Sequence, residues 1–263
     1  EAGADLARVV GGHPLAGREV SGPAGARDDL VADRVWVLTP SPETEPARVA
    51  EVTALVERLG AVPVVLDPEA HDRAVALTSH TPQVLASLLA SRLAEAEAGD
   101  VAISGQGLRD VTRVAASDPS LWTEILGANA GPVAAVLDAL ADDLERVRAS
   151  LRGIAAGSPT TEADTAVVSG LLRRGNEGRR RVPDKHGGRG GTEYVVVPVV
   201  VEDRAGQLGR LFAAAGEAGV SIEDVRIEHT LGRLQAVVEL SVTRDAAPAL
   251  IEALTSGGWT LRG

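Results

Sequence analysis

A chain of 263 residues that is 44% hydrophobic and 24% charged can build two or three packed domains and is not disordered. It has no cysteine, which excludes disulfides, thiolate chemistry and cysteine-held metals, and its net charge of -11 disfavours nucleic acid as a partner. With three Trp, one Tyr and one Phe, its core must be built from Ala, Val and Leu; no apolar run reaches the roughly 20 residues of a membrane span and no leader pattern opens the chain, so a cytoplasmic protein is expected.

The chain starts at Glu1 without an initiator methionine, and its first residues read like the middle of a fold, so a preceding segment is expected. Residues 2–7 read as the end of a helix that feeds a strand at Val9 and Val10. Gly11 and Gly12 then permit a tight turn, and Pro14 fixes the dihedral after His13. The stretch reads either as a plain turn or as an imidazole delivered at a strand edge. Residues 35–38 form a short apolar run stopped by Pro40, residues 46–59 repeat apolar positions at helical spacing before Gly60, and residues 62–66 form another strand. Strand, helix, strand is half of an α/β sheet.

From Glu69 to about Gly153 strand signals vanish and Ala and Leu dominate. The spacing predicts a helix from His71 past Leu93 with Pro82 as a kink or restart, a helix started by Asp118 and Pro119, a long amphipathic helix over 132–151, and one more over 161–172. Their Ala and Leu faces suit dimerisation. Residues 179–193, with Arg179, Arg180 and Arg181 and a run of glycines, read as a solvated basic linker. From Tyr194 on the order is strand, helix, strand, strand, helix, strand, the ferredoxin-like plait, with Gly206 just before its first helix.

His71 beside Asp72 at a helix start has no second pair to complete a metal site and reads as a surface or capping residue; no metal is expected. His80 and Gln83 interrupt an otherwise apolar helix, where polar side chains either satisfy one another or line a cleft. His186, in the linker, and His229, in a plait turn, read as incidental. Arg109 and Arg113, four apart, either point at one carboxylate or form surface ion pairs with Asp110 and Asp118. No nucleophile elbow, Walker loop, zinc-protease motif or Gly-x-Gly-x-x-Gly occurs, and these motifs leave the chemistry open.

Gly12-His13-Pro14-Leu15-Ala16-Gly17-Arg18-Glu19 with Ser21-Gly22, residues 69–72, Ser79-His80-Thr81-Pro82, and Arg109-Asp110-Val111-Thr112-Arg113 through Asp118-Pro119 to Trp122 together resemble prephenate dehydrogenase in order and spacing. The resemblance covers roughly residues 1–155, and residues 194–263 resemble the ACT regulatory domain that some members carry. It implies residues 1–68 as the last part of a Rossmann domain, 69–178 as a helical dimerisation and substrate domain, and an active site between them. It also implies NAD-dependent oxidative decarboxylation of prephenate to 4-hydroxyphenylpyruvate, with NADP not excluded.

By that resemblance His13 is the catalytic base, Arg113 binds a substrate carboxylate, Glu19 is an acidic gate, and His80 and Trp122 line the substrate pocket, with Gln83 beside them. Gly12 and Pro14 are the expected cofactor contacts, and Asp203, Gly206 and Leu208 mark an amino-acid effector site. A homodimer is implied. Gln83 stands where many prephenate-using members have a second histidine, which opens arrogenate as an alternative substrate. The Gly-x-Gly-x-x-Gly turn of a complete nucleotide domain is absent from this chain, so a non-catalytic, amino-acid-binding or dimerisation protein is the competing expectation.

Overall fold

The structure is a computed structural model describing residues 5–16, 26–157, 161–182, 194–229 and 235–262. It divides into two compact units, Glu1–Leu171 and Leu172–Gly263.

In the N-terminal unit a three-stranded sheet runs in the order β1 (Val10–Pro14), β2 (Val35–Pro40), β3 (Val62–Val65). Strands β2 and β3 are parallel, and helix α1 (Pro46–Arg58) crosses between them. Pro46 is preset for the first turn of α1, and Gly60 at φ 75° supplies the left-handed residue that ends it. Leu38, Val56 and Ala61 form the small core between sheet and helix.

Strand β1 corrects the expected turn. It runs antiparallel to β2 straight through the glycines, with Gly11 opposite Thr39, Gly12 opposite Leu38 and His13 opposite Val37. The glycines are there for close approach rather than for turning: a Cβ on Gly11 would collide with Thr39 Oγ1, and one on Gly12 would lie 3.0 Å from Trp36 Nε1. Val9, expected in a buried strand, is exposed, and the residues before it form a 3-10 turn (Leu6–Arg8) rather than a helix end.

The helices follow in one run. Asp67 caps α2 (Pro68–Val75) by accepting from the Ala70 N–H at 3.0 Å. A π-helical segment, Ala76–His80, joins α2 to α3 (Thr81–Leu93), with Pro82 in the first turn of α3, the restart expected there. Short helices α4 (Ala98–Ala102) and α5 (Gln106–Thr112) lead into a 3-10 turn, Arg113–Ala116. Then come α6 (Pro119–Ala128), capped by Asp118 as expected, α7 (Ala130–Ala155) and α8 (Thr161–Arg180). Helix α8 continues through Arg179 and Arg180, which had been read as linker. No single described helix is long and apolar enough to cross a membrane; α6 and α7 reach that length and composition only together, bent by 94°.

The C-terminal unit is the expected plait: β4 (Tyr194–Glu202), α9 (Gln207–Glu217), β5 (Asp224–His229), β6 (Gln235–Thr243), α10 (Ala247–Ser256) and β7 (Thr260–Leu261). Its sheet order is β5-β6-β4-β7, all neighbours antiparallel. Alternate residues of β4 (Val197, Val199, Val201) and β6 (Val238, Leu240, Val242) face the helices, as period-two patterning requires, and meet Leu211, Leu250 and Leu254 in a dry core.

Candidate active site

His13 stands near the end of edge strand β1, exposed, and its backbone is held by the ladder to β2. Its Nδ1 lies 2.8 Å from Nε2 of His71, in the first turns of α2, and the two rings meet edge to face with centroids 5.1 Å apart. His71 Nδ1 is in turn 2.9 Å from Asp72 Oδ1. His71 therefore corrects its expected surface or capping role: its side chain is only 14% exposed and is bonded at both ring nitrogens. The only local signal for it was the His-Asp dipeptide, and its meeting with a residue 58 positions earlier is a tertiary event.

Behind this pair lies a second polar layer. His80, the last residue of the π-helical segment, is buried, with Nδ1 3.1 Å from Asn129 Nδ2. The same Asn129 amide donates to the backbone carbonyl of Asp72 at 2.8 Å, so the start of α7 braces α2 where it carries His71 and Asp72. An amide N–H can only donate, so His80 accepts at Nδ1 and its neutral form carries the proton on Nε2. A π-helical turn is the kind of irregularity that collects at functional sites, and here it ends on the buried His80 where α2 passes without a gap into α3.

Electrostatics favour neutral imidazoles. Although His13 is exposed, partial desolvation by its neighbours pushes its ring below its ordinary pKa, and the nearby His71 and His80 push the same way. His80 is lowered chiefly by its own burial and also by His71, against an opposing pull from Asp72. At pH 7 a lowered histidine keeps a bare nitrogen, the form a proton acceptor needs.

The remaining expected residues are dispersed. Trp122 on α6 meets His80 edge to face at 6.2 Å between centroids. Trp122 and Gln83 line a cleft of about 460 Å³ together with Ser87, Ala115 and Ser117. Gln83 is already committed within the fold: its buried Nε2 donates to the Val114 carbonyl at 3.0 Å and ties α3 to the 3-10 turn. Arg109 lies on α5, whereas Arg113 comes after its last residue, Thr112, and opens the 3-10 turn, exposed. Arg109 reaches the Ser104 carbonyl at 3.4 Å, Asp110 accepts from Gln106 on α5, and Asp118 caps α6, so each carboxylate bonds within or at the start of its own helix. Glu19 and His186 lie outside the described residues.

In the C-terminal unit Asp203 and Gly206 are exposed on the loop before α9, whereas Leu208 packs against the plait core. A cleft of about 320 Å³ in this unit is lined instead by Glu202, Gln207, Arg210, Gln235 and Trp259, with the Arg210 guanidinium 5.7 Å above the Trp259 ring. Among the described residues no group of three or more His, Asp or Glu side chains is arranged to hold a metal ion.

These residues lie in a chain that resembles known proteins along its length. Residues 1–65 match the prephenate dehydrogenase nucleotide-binding domain, and residues 67–161 match the prephenate dehydrogenase dimerization domain. A probable prephenate dehydrogenase of Streptomyces niveus is 39% identical over 98% of this chain and 71% of its own length. Among solved structures, prephenate dehydrogenase from Aquifex aeolicus in complex with hydroxyphenyl propionate and NAD+ is similar at 28% identity and a TM-score of 0.56, over 66% of this chain and 59% of that one. Arogenate dehydrogenase of Synechocystis is similar at 27% identity and a TM-score of 0.52, over 66% and 62%. The chain thus spans about three-fifths of the two solved chains. Two domain matches in succession, with kinship to the Streptomyces protein over nearly all of this chain, carry one conclusion: the chain belongs to the prephenate dehydrogenase family.

Proposed function

We propose that this chain serves an NAD-dependent oxidation of prephenate to 4-hydroxyphenylpyruvate with loss of carbon dioxide, a step of tyrosine biosynthesis. The observation that supports it best is the exposed His13 imidazole held from behind by His71 at 2.8 Å, its pKa lowered by desolvation and the neighbouring histidines. His13 takes the ring-hydroxyl proton while hydride leaves the same carbon; the ring carboxylate then departs as carbon dioxide, its electron pair aromatises the ring, and the proton returns to the resulting phenolate. NAD supplies the hydride acceptor. The 263 residues contain no Gly-x-Gly-x-x-Gly to cradle a pyrophosphate, and what they offer NAD is the nicotinamide end, at the backbone of Gly12 and Pro14 beside His13.

Arg113 pairs with a substrate carboxylate, Glu19 gates the site, and His80, Gln83 and Trp122 shape the pocket. Arrogenate is the second reading, because the uncharged Gln83, already bonded to Val114, brings no titratable group to the substrate side chain. Dimerisation uses the apolar face where Leu85, Leu88, Leu137, Leu140 and Leu144 line a groove of about 480 Å³. The plait is an ACT-like regulatory module that takes tyrosine or phenylalanine beside Asp203 and Gly206, and the compartment is the cytoplasm.

NADH formation by the full chain with prephenate and with arrogenate, beside a titration of NAD, tests the reading. Turnover of either substrate supports a dehydrogenase and selects between the two. No turnover and no NAD binding would leave the non-catalytic alternative. Repeating the assay with each amino acid tests the regulatory module, which a flat response removes.

A further inference from the structure

A carboxylate oxygen can only accept, so the proton in the 2.9 Å contact between Asp72 and His71 sits on His71 Nδ1. With that single N–H on Nδ1, the neutral form of His71 has a bare Nε2, which can only accept. The proton in the 2.8 Å contact between the two histidines therefore belongs to His13 Nδ1. His13 Nε2 is then the nitrogen with the free lone pair.

We propose that His71 and Asp72 are positioning residues that set the tautomer of His13, so that its Nε2 is the basic atom. The proposal rests on the reading of His13 as the base. Without this pair an imidazole can place its proton on either nitrogen, and a molecule protonated on Nε2 cannot accept there. The frame that holds the pair is built into the fold. Asp67 caps the helix three residues before Ala70, the His71 N–H donates to the Asp67 carbonyl at 2.9 Å, and buried Asn129 pins the Asp72 carbonyl. When His13 accepts the substrate proton at Nε2, its Nδ1–H remains donated to His71, and no proton moves along the chain. Asp72 is half exposed, so its charge is screened by water and the geometric role dominates. The groups facing His13 are His71, Asp72 beyond it, and His80.

The test uses the full chain with the substrate it turns over. His71→Leu should lower kcat by about 10- to 100-fold with little change in KM, the usual scale for a group that orients a reacting one. His71→Gln, whose amide oxygen can accept where Nε2 did, should recover most of that loss. Nitrogen NMR of ring-labelled protein reads the tautomer without turnover: His13 should carry its proton on Nδ1 in wild type and in His71→Gln, and shift toward Nε2 in His71→Leu. Wild-type kcat in His71→Leu, equal losses in the Leu and Gln variants, or an unchanged tautomer would overturn the proposal. If His13→Asn keeps full turnover, the base reading fails instead, and the NMR result alone then decides whether the pair sets the tautomer.

Discussion

In the C-terminal unit twelve buried apolar residues form one cluster, while the N-terminal sheet and helix share a core of three, Leu38, Val56 and Ala61. The buried polar residues run the other way. Thr44, His80, Thr81, Gln83, Asn129 and Ser150 all belong to the N-terminal unit. A buried polar group costs free energy unless bonded, so polar side chains kept inside the N-terminal unit are held by hydrogen bonds such as those of Gln83 and Asn129. Two of them, His80 and Asn129, lie beside the His13 and His71 pair, and Asn129 bonds both the Asp72 carbonyl of α2 and His80 of the π-helical segment. The helices of this unit also leave Leu77, Leu88 and Leu144 more than half exposed, which a helical layer does when a partner surface completes it.

The largest test of this contrast is His13→Asn, which should lower kcat by about 10²- to 10⁴-fold while leaving NAD binding and the unfolding transition in place, read by steady-state kinetics and denaturant titration. If the C-terminal unit is the stability-bearing half, Leu211→Ala should cost it about 2–5 kcal/mol, seen as a lower denaturant midpoint for that unit. A loss below ~1 kcal/mol would mean that its core repacks, and the contrast would weaken. Arg113→Ala should raise the substrate KM by roughly 30-fold, about 2 kcal/mol for a lost hydrogen bond to a charged group, with kcat little changed. An unmoved KM would make Arg113 structural.

Smaller effects sharpen the picture. Because His13 is held below the ordinary histidine value of about 6.5, it binds a proton less readily folded than unfolded. The acid limb of activity should thus be centred below 6.5, and this site's contribution to stability should fade as pH drops below 6.5 through the lowered pKa. An acid limb centred above 6.5 would contradict the desolvation assigned to the ring. Leu144→Ala, at a side chain 68% exposed, should change the stability of a monomer by no more than about 0.5 kcal/mol yet weaken self-association in sedimentation, and an unchanged association constant would place the dimer contact elsewhere.

Much of the architecture was legible in local pattern. Apolar runs marked β4 and β6, the Asp-Pro pair at 118–119 marked the start of α6, and Gly60 marked the end of α1, because each depends on neighbours within a turn or two of chain, whereas α2 starts at Pro68, ahead of the His71 expected for it. The glycines of β1 were misread as a turn because Gly11 and Gly12 carry the same local signal whether they bend the chain or admit Thr39 and Trp36 from the next strand. Helix α8 outran its expected end at 172 because its later turns are polar and glycine-bearing, so apolar spacing stops before the helix does.

The sequence by itself determined the order of elements and the residue types available for chemistry: an imidazole at His13, a His-Asp pair at 71 and 72, and polar residues at 80 and 83. Only the tertiary structure decided which of them meet. It set His71 against His13 and Asn129 against both His80 and the backbone of Asp72, and it committed Gln83 to Val114. Periodicity encodes which face of an element is apolar, but the meeting of residues 58 or 49 positions apart depends on how a short strand, a capped helix and a π-helical turn pack together.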